Sequence, residues 1–156
     1  EKLAILQKTL EERASKLLNR ELLMRTLRID CELPLSIINK ELYDEIQKLT
    51  PFGMRNPEPT FVAKDVVIED MRVVGNEGKH LKLKFKIQNS KFKISIDGIA
   101  FGMGERASEF HIADKVDIVY TIDEDRWLAP RSPAQMGEVG NGNKRLQLKI
   151  KDLKAR

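Results

Sequence analysis

The strongest constraint on the fold of this chain is a regular alternation of apolar and basic residues between Lys79 and Phe101, KHLKLKFKIQNSKFKISIDGIAF. Successive side chains of a β-strand point to opposite faces, so the alternation predicts two strands with one apolar and one basic face. The polar residues Gln88-Asn89-Ser90 are typical of a turn and predict a hairpin. The apolar residues that we expect to face the core are Leu81, Leu83, Phe85, Ile87, Phe92, Ile94 and Ile96.

The basic face of this hairpin has two interpretations. Antiparallel sheets often have one solvated polar face, and lysines on such a face need no further function. The alternative is a surface that binds phosphate groups. Residues 1–59 carry ten basic and ten acidic side chains, whereas residues 60–156 carry eighteen and fourteen. The net charge of +4 therefore belongs to the second part, which favours an anionic partner there.

Composition limits the class of protein. With 41% hydrophobic and 33% charged residues, the 156-residue chain is typical of a globular protein, and no apolar run approaches the length of a membrane span. Cys31 is the only cysteine, which excludes an internal disulfide or a cysteine zinc site and favours a reducing, cytoplasmic location. The first residues, EKLAILQ, lack a methionine and are too charged for a signal peptide, so we expect a fragment of a longer protein.

The first 59 residues predict helices and a junction. Apolar residues at helical spacing predict a helix from Glu1 to about Met24 and a second helix that begins at Ser36 as N-cap and ends near Leu49. Alternation in TLRIDCEL, residues 26–33, predicts a short strand between them. Three prolines in residues 50–59 predict a stiff domain junction, which Phe52 and Met54 are expected to pin to a neighbour.

From Phe61 the pattern is rich in strands. FVAKDVVIEDMRVV, residues 61–74, predicts a long strand or a bent pair of strands, broken near Glu69-Asp70 and followed by the hairpin. Gly98 predicts a β-bulge, since Ile99 and Phe101 would otherwise face away from the core. The remaining predicted elements are a glycine turn at residues 102–104, a short helix at 105–110, a strand at 116–122, a long loop at 123–143 and a strand at 144–153.

Five strands, with a helix between the third and the fourth, give the element order of an OB-fold. The predicted fold class is therefore α+β, with N-terminal helices followed by a five-stranded OB-fold β-barrel. In that fold the second and third strands and the loops after strands one and four bind oligonucleotides or oligosaccharides. Trp127, in the loop after the fourth strand, is either a buried anchor or a base-stacking platform. The candidate DNA-binding residues are Lys79, His80, Lys82, Lys84, Lys86, Lys91, Lys93, Trp127, Lys149 and Lys151.

No catalytic or metal site is predicted. The two histidines, His80 and His111, are far apart and lack a carboxylate cluster at ligand spacing. Asp97 and Asp123 would imitate a catalytic carboxylate pair only if the fold brought them together. Because the hairpin aromatics face the core by parity, we also expect a basic face that is poor in stacking groups.

Four segments of the chain resemble the C-terminal part of RecJ-type single-strand-specific DNA exonucleases: LTPFGMRNPEPTF, GKHLKLKF, IDGIAFGMGE and RLQLKIKDL. The resemblance covers most of the chain and is most specific at the junction, where Arg55 replaces the usual glycine. It implies that residues 1–50 are the end of a DHHA1 domain, residues 51–59 a junction, and residues 60–156 an OB domain.

The resemblance also implies a function. The parent enzyme would degrade single-stranded DNA from the five-prime end, in repair and recombination, with Mn²⁺ or Mg²⁺ in an upstream DHH domain. Its catalytic motifs and the GGH motif of DHHA1 are absent from this chain and would lie upstream, so we expect no cofactor here. The fragment would hold single-stranded DNA for the upstream DHH and DHHA1 domains, without a membrane partner. The alternatives are a protein-interaction module for an acidic partner and, ranked last, a hydrolase that uses Asp97.

Overall fold

The computed structural model describes residues 2–19, 26–87, 95–125 and 145–156. These residues form two α-helices, several short 3₁₀-helices and six strands. The helices are α1 (Lys2–Leu17) and α2 (Lys40–Gln47). The strands are β1 (Cys31–Glu32), β2 (Phe61–Val74), β3 (His80–Lys86), β4 (Ser95–Ala100), β5 (Lys115–Glu124) and β6 (Leu146–Ala155). The 3₁₀-helices are Leu35–Ile37, Asn76–Gly78 and Gly104–Glu109.

The strands form a sheet that closes into a ring. Neighbours in the sheet follow the order β1-β2-β3-β4-β6-β5, and β5 also pairs with β2. The contact between β4 and β6 is parallel, and the other contacts within the ring are antiparallel. The five strands of the ring, β2 to β6, are those predicted from the sequence. The predicted strand at residues 26–33 shortens to β1, which pairs in parallel with β2.

The core lies inside this ring. Leu81, Leu83 and Phe85 of β3 are at most 1% exposed, which confirms the predicted parity of β3, and Ile96 of β4 is buried as predicted. Burial of a large apolar side chain contributes about 1.5–3 kcal/mol, so the alternating pattern strongly determines which face of β3 turns inward. The predicted inward residues Phe92 and Ile94 lie outside the described residues.

The bulge predicted at Gly98 is wrong. Strands β3 and β4 pair without interruption, from Leu81 opposite Ala100 to Lys86 opposite Ser95. Gly98 itself faces inward, where a Cβ atom would lie 3.0 Å from Cε2 of Phe85. A side chain at this position would therefore press on the ring of Phe85, and the alternation continues through the glycine. Consequently Ile99 and Phe101 point outward, and Phe101 is 55% exposed.

The glycine turn after β4 is fixed by a close backbone contact. A Cβ atom on Gly104 would lie 1.8 Å from the carbonyl oxygen of Gly78, and the Gly104 amide donates to the carbonyl of Lys79 at 3.1 Å. This contact locks the turn after β4 against the turn before β3. The short helix predicted after it is present as the 3₁₀-helix Gly104–Glu109.

The N-terminal segment packs on the ring through α2 and the residues before it. The N-cap of α2 is Asn39, whose Oδ1 accepts from the Leu42 amide at 2.8 Å, so the prediction of Ser36 is wrong. Ser36 lies instead in the 3₁₀-helix Leu35–Ile37, which places Leu35 in the core. Tyr120 of β5 donates its buried hydroxyl to the Leu33 carbonyl at 2.6 Å.

Helix α1 and the junction differ in part from prediction. Helix α1 ends at Leu17, has no buried residue and exposes its predicted apolar stripe; residues 20–25 lie outside the description. In the junction the Asn56 side chain donates to the carbonyls of Leu49 and Pro51 at 2.7 and 3.0 Å. Met54, expected to pin the junction, is fully exposed.

Candidate functional site

A cleft of about 890 Å³ lies between the outward face of the ring and the segment that contains α2 and the junction. The volume is within the range of small-molecule sites. Apolar, aromatic, polar and charged side chains line the cleft, and they come from both sides. The residues from α2 and the junction are Tyr43, Gln47, Phe52 and Glu58. The residues from the ring are Arg72, Val74, Gly75, His80, Lys82, Ile99, Phe101, Asp123, Glu124, Asp125, Gln147 and Lys149.

One row of outward residues crosses the strands on the floor of the cleft. Arg72 of β2 pairs with Lys82 of β3, Lys82 pairs with Ile99 of β4, and Ile99 pairs with Lys149 of β6. Neighbouring strands are about 4.8 Å apart, and paired residues point to the same face. We name Arg72, Lys82 and Lys149 the basic row. Arg72 and Lys82 form no ion pair with any residue in the described part of the chain.

The next row of the same face is mainly acidic. It consists of Asp70, Lys84, Asp97, Gln147 and Asp123, in the order of the strands. Lys84 is paired between Asp70 and Asp97 and lies 3.6 Å from Glu69. The continuous lysine face expected from β3 alone is therefore interrupted, because carboxylates from β2 and β4 surround its middle lysine.

An exposed aromatic pair borders the basic row. The rings of His80 and Phe101 are 5.2 Å apart at an angle of 74°. Nδ1 of His80 accepts the Gly102 amide hydrogen at 3.1 Å, so Nε2 carries the proton when this imidazole is neutral. A Cβ atom on Gly75 would lie 2.8 Å from Cδ2 of His80. The imidazole is thus held in one orientation, with Phe101 beside it.

The other predicted lysines have different surroundings. Lys79 lies 2.7 Å from Glu77, and Lys86 is exposed at the end of β3. Lys149 lies 2.5 Å from Asp123. Lys151 donates to the Thr60 hydroxyl at 2.7 Å, at a register shift between β5 and β6. The predicted binding residues Lys91, Lys93 and Trp127 lie outside the described residues.

Carboxylates occupy one end of the cleft without forming a catalytic pair. Asp97 and Asp123 are both paired with Gln147, so two strand spacings, about 10 Å, separate their backbones. Glu124 lies 3.5 Å from Lys40 of α2, whose pKa is raised chiefly by its hydrogen bond to Asp44. Within the described residues, no group of three or more His, Cys, Asp or Glu side chains could hold a metal ion.

Sequence reasoning missed several residues of the cleft. Arg72 has the same parity as the buried Val66 and Ile68, and only the register shift between Ile68 and Asp70 turns it outward beside Lys82. Phe101 was expected to face inward, and this expectation is wrong. Phe85 faces the core as expected, so Phe101 is the exposed aromatic residue that the expectation of a face poor in stacking groups left out. Unbroken alternation from Ile96 through Gly98 and Ala100 is the signal that would have placed Phe101 outside.

The closed five-stranded ring and its strand order define the class of this protein as an OB domain. The family model described as "RecJ OB domain" matches residues 29–152, and the chain belongs to this family. The match includes β1, α2 and the junction, and Leu33, Leu35 and Tyr43 share one hydrophobic cluster with the ring. The domain boundary expected at residues 51–59 stays a prediction.

Two similar proteins extend this comparison. The single-stranded-DNA-specific exonuclease RecJ of Bacillus subtilis (strain 168) is 27% identical over 147 residues, which cover 94% of this chain and 16% of that protein. An aspartyl tRNA synthetase structure from Entamoeba histolytica aligns with a TM-score of 0.40 and 10% identity, over 88% of this chain and 28% of the synthetase. That structural similarity is too low to support an argument. No helix in the described part of the chain is long and apolar enough to cross a membrane.

Proposed function

We propose that this chain is the single-stranded DNA-binding portion of a RecJ-like exonuclease. The observation that carries the proposal is the basic row, where Arg72, Lys82 and Lys149 line a cleft that also exposes Phe101. Positive side chains that follow a backbone path, with aromatic groups beside them, are the usual means of binding single strands. The family match and the similarity to a single-strand-specific exonuclease support the same conclusion.

The geometry favours a DNA path across the strands. Arg72 and Lys82 are adjacent, and Lys149 follows two strand spacings from Lys82, so the row extends over about 14 Å. A path along β3 would instead pass Lys84, whose charge is offset by Glu69 and its paired aspartates. Lys149 is offset in the same way by Asp123, at 2.5 Å, so the preference for a path across the sheet rests on the adjacent Arg72 and Lys82.

The second part of the proposal concerns the role of this chain within a longer RecJ-like enzyme. The chain would hold the strand for DHH and DHHA1 domains upstream, which would bind Mn²⁺ or Mg²⁺ and cleave from the five-prime end. We place this activity in DNA repair and recombination in the cytoplasm. The described residues offer no metal cluster, so the catalytic metal would be held by residues of the upstream domains. The similarity to the exonuclease, of which the chain spans 16%, supports this assignment.

The proposal is tested by fluorescence anisotropy with a labelled single-stranded oligonucleotide and a duplex of the same length. We expect tighter binding to the single strand, reduced by a double change of Arg72→Ala and Lys82→Ala. Lys154→Ala is the matched control, because Lys154 is exposed and pairs with Asp117 on β5, away from the cleft. Equal affinity for single strand, duplex and poly-glutamate would contradict the proposal and favour a module that binds an acidic protein.

A further inference from the structure

The aromatic pair at the edge of the basic row is not explained by phosphate binding. Phe101 exposes 55% of its surface on the outward face of the ring, beside the imidazole of His80. An exposed phenyl ring gains nothing from a phosphate group, whereas a flat apolar group can stack on it. Ile99 and Phe52 add further apolar surface to the same cleft.

We infer that Phe101 is a base-stacking site, on which one nucleobase of the bound strand lies with His80 at its edge. This inference rests on the proposed function and names the part of the DNA that the cleft recognises. The occupant is inferred from Lys82 and Arg72, which would hold the phosphates next to that base, although Glu58, Asp123, Glu124 and Asp125 also line the cleft. His80 and Lys82 are alternate residues of β3, about 7 Å apart, so a base on Phe101 would lie within about one nucleotide of a phosphate held by Lys82.

Backbone contacts of the residues that follow Phe101 fix its position, although its own side chain is largely exposed. Gly102 follows it with a φ of +71° and donates its amide hydrogen to His80. Gly104 then locks the turn on the carbonyl of Gly78. The phenyl ring is therefore presented on a rigid strand end, which lowers the entropy that base binding costs.

The site also has a second aromatic wall. Phe52 of the junction and Tyr43 of α2 line the cleft from the N-terminal segment. Tyr43 is only 5% exposed, so Phe52 is the aromatic side chain that this segment offers to a base stacked on Phe101. The junction, although distant in sequence from β4, becomes part of the binding surface.

The test compares an oligothymidine with an oligonucleotide of the same length whose sugars carry no bases. Removing a stacking aromatic costs about 5- to 150-fold in affinity per base, the range that corresponds to about 1–3 kcal/mol. We expect Phe101→Ala to weaken oligothymidine binding within that range and to leave binding of the abasic strand unchanged. Phe101→Trp should restore the affinity, and Ile112→Ala, at an exposed apolar residue outside the cleft, should change neither.

The outcomes separate this inference from the proposed function. If Phe101→Ala changes the two affinities equally, or changes neither, no base stacks there and the inference is wrong, although the chain still binds DNA. If neither strand binds the unaltered protein, the proposed function itself fails. Displacement of oligothymidine by poly-glutamate at equal charge concentration would identify the cleft as a site for acidic peptides and overturn the inference. A single 5-iododeoxyuridine that cross-links to Phe101 on irradiation would support it independently of affinity.

Discussion

The salt dependence of DNA binding should distinguish a path across the strands from a path along β3. Each phosphate that a cationic side chain neutralises on a single strand contributes about −0.7 to the slope of log affinity against log salt. Arg72 and Lys82 are neighbours in the basic row and have no ion-pair partner among the described residues. Changing both to alanine should therefore reduce the magnitude of the slope by about 1.4 units.

The matched control is Lys84→Ala, on the same strand and face, two residues from Lys82. Lys84 lies 3.6 Å from Glu69 and is paired between two aspartates, so it should contribute little to the slope. Raising salt from 50 to 200 mM weakens DNA binding of both variants. With slopes that differ by about 1.4 units, the Lys84→Ala variant should lose about sevenfold more affinity over this range than the double variant. Anisotropy titrations at four or more salt concentrations resolve this difference.

Two results would refute the reasoning. A slope that is unchanged in the double variant would mean that Arg72 and Lys82 are only solvated side chains. Equal reductions for Lys82→Ala and Lys84→Ala would mean that the strand follows β3, as the alternation alone suggests. Neither change should affect folding, since both lysines point away from the core and surface substitutions usually cost less than about 0.5 kcal/mol.

Three further predictions concern stability and the junction. Gly104→Ala should lower the free energy of unfolding by about 1–3 kcal/mol in urea, whereas Gly53→Ala, with open space around it, should be nearly neutral. Asn56→Ala, which removes two hydrogen bonds of the junction, should broaden spin-label distances between α2 and the ring. Burial raises the pKa of Tyr120, so the folded state keeps a proton that the unfolded chain loses above about pH 10. The contribution of Tyr120 to stability should be constant below that pH and decrease above it by up to about 1.4 kcal/mol per pH unit, a component that Tyr120→Phe should lose.

The ring could be predicted largely because its strands are half buried. Strand β3 alternates without exception, and a one-residue slip would turn Leu81, Leu83 and Phe85 to the outside. The same physical reason supports the long strand β2, whose break predicted near Glu69-Asp70 appears as a register shift between Ile68 and Asp70. Where one face of a strand is buried and the other is in water, apolar and polar residues alternate every two residues, and the strand can be recognised from sequence.

The end of β4 was predicted wrongly because its inward residue is not a large apolar one and its outward residues are apolar. The inward position holds Gly98, which has no side chain to mark it, and the outward positions hold Ile99 and Phe101, which look like core residues. From sequence alone, this pattern favours a change of parity at Gly98, which was the prediction. The structure shows instead that the ring of Phe85 fills the space of the missing side chain.

The basic row could not be predicted because it depends on register between strands distant in sequence. Arg72 meets Lys82 only after the register shift in β2, and Lys149 joins the row through the parallel contact between β4 and β6. Charge counts along the chain give the sign of the surface but not its shape. Charge counts also do not show that carboxylates lie beside Lys84, since these carboxylates belong to the two neighbouring strands.

The cleft depends in turn on the segment that precedes the ring. Thr60 donates its amide hydrogen to Oδ2 of Asp30 at 2.9 Å and its carbonyl accepts from the Asp30 amide at 2.8 Å, while Leu33 accepts the buried hydroxyl of Tyr120. These contacts hold α2 and the junction over the outward face of the ring. A chain that began at Thr60 would lose Leu33 and Leu35 from the core and the side of the cleft that contains Phe52. Strands β2 to β6 therefore supply the charged floor of the site, and residues 30–59 convert that floor into a cleft.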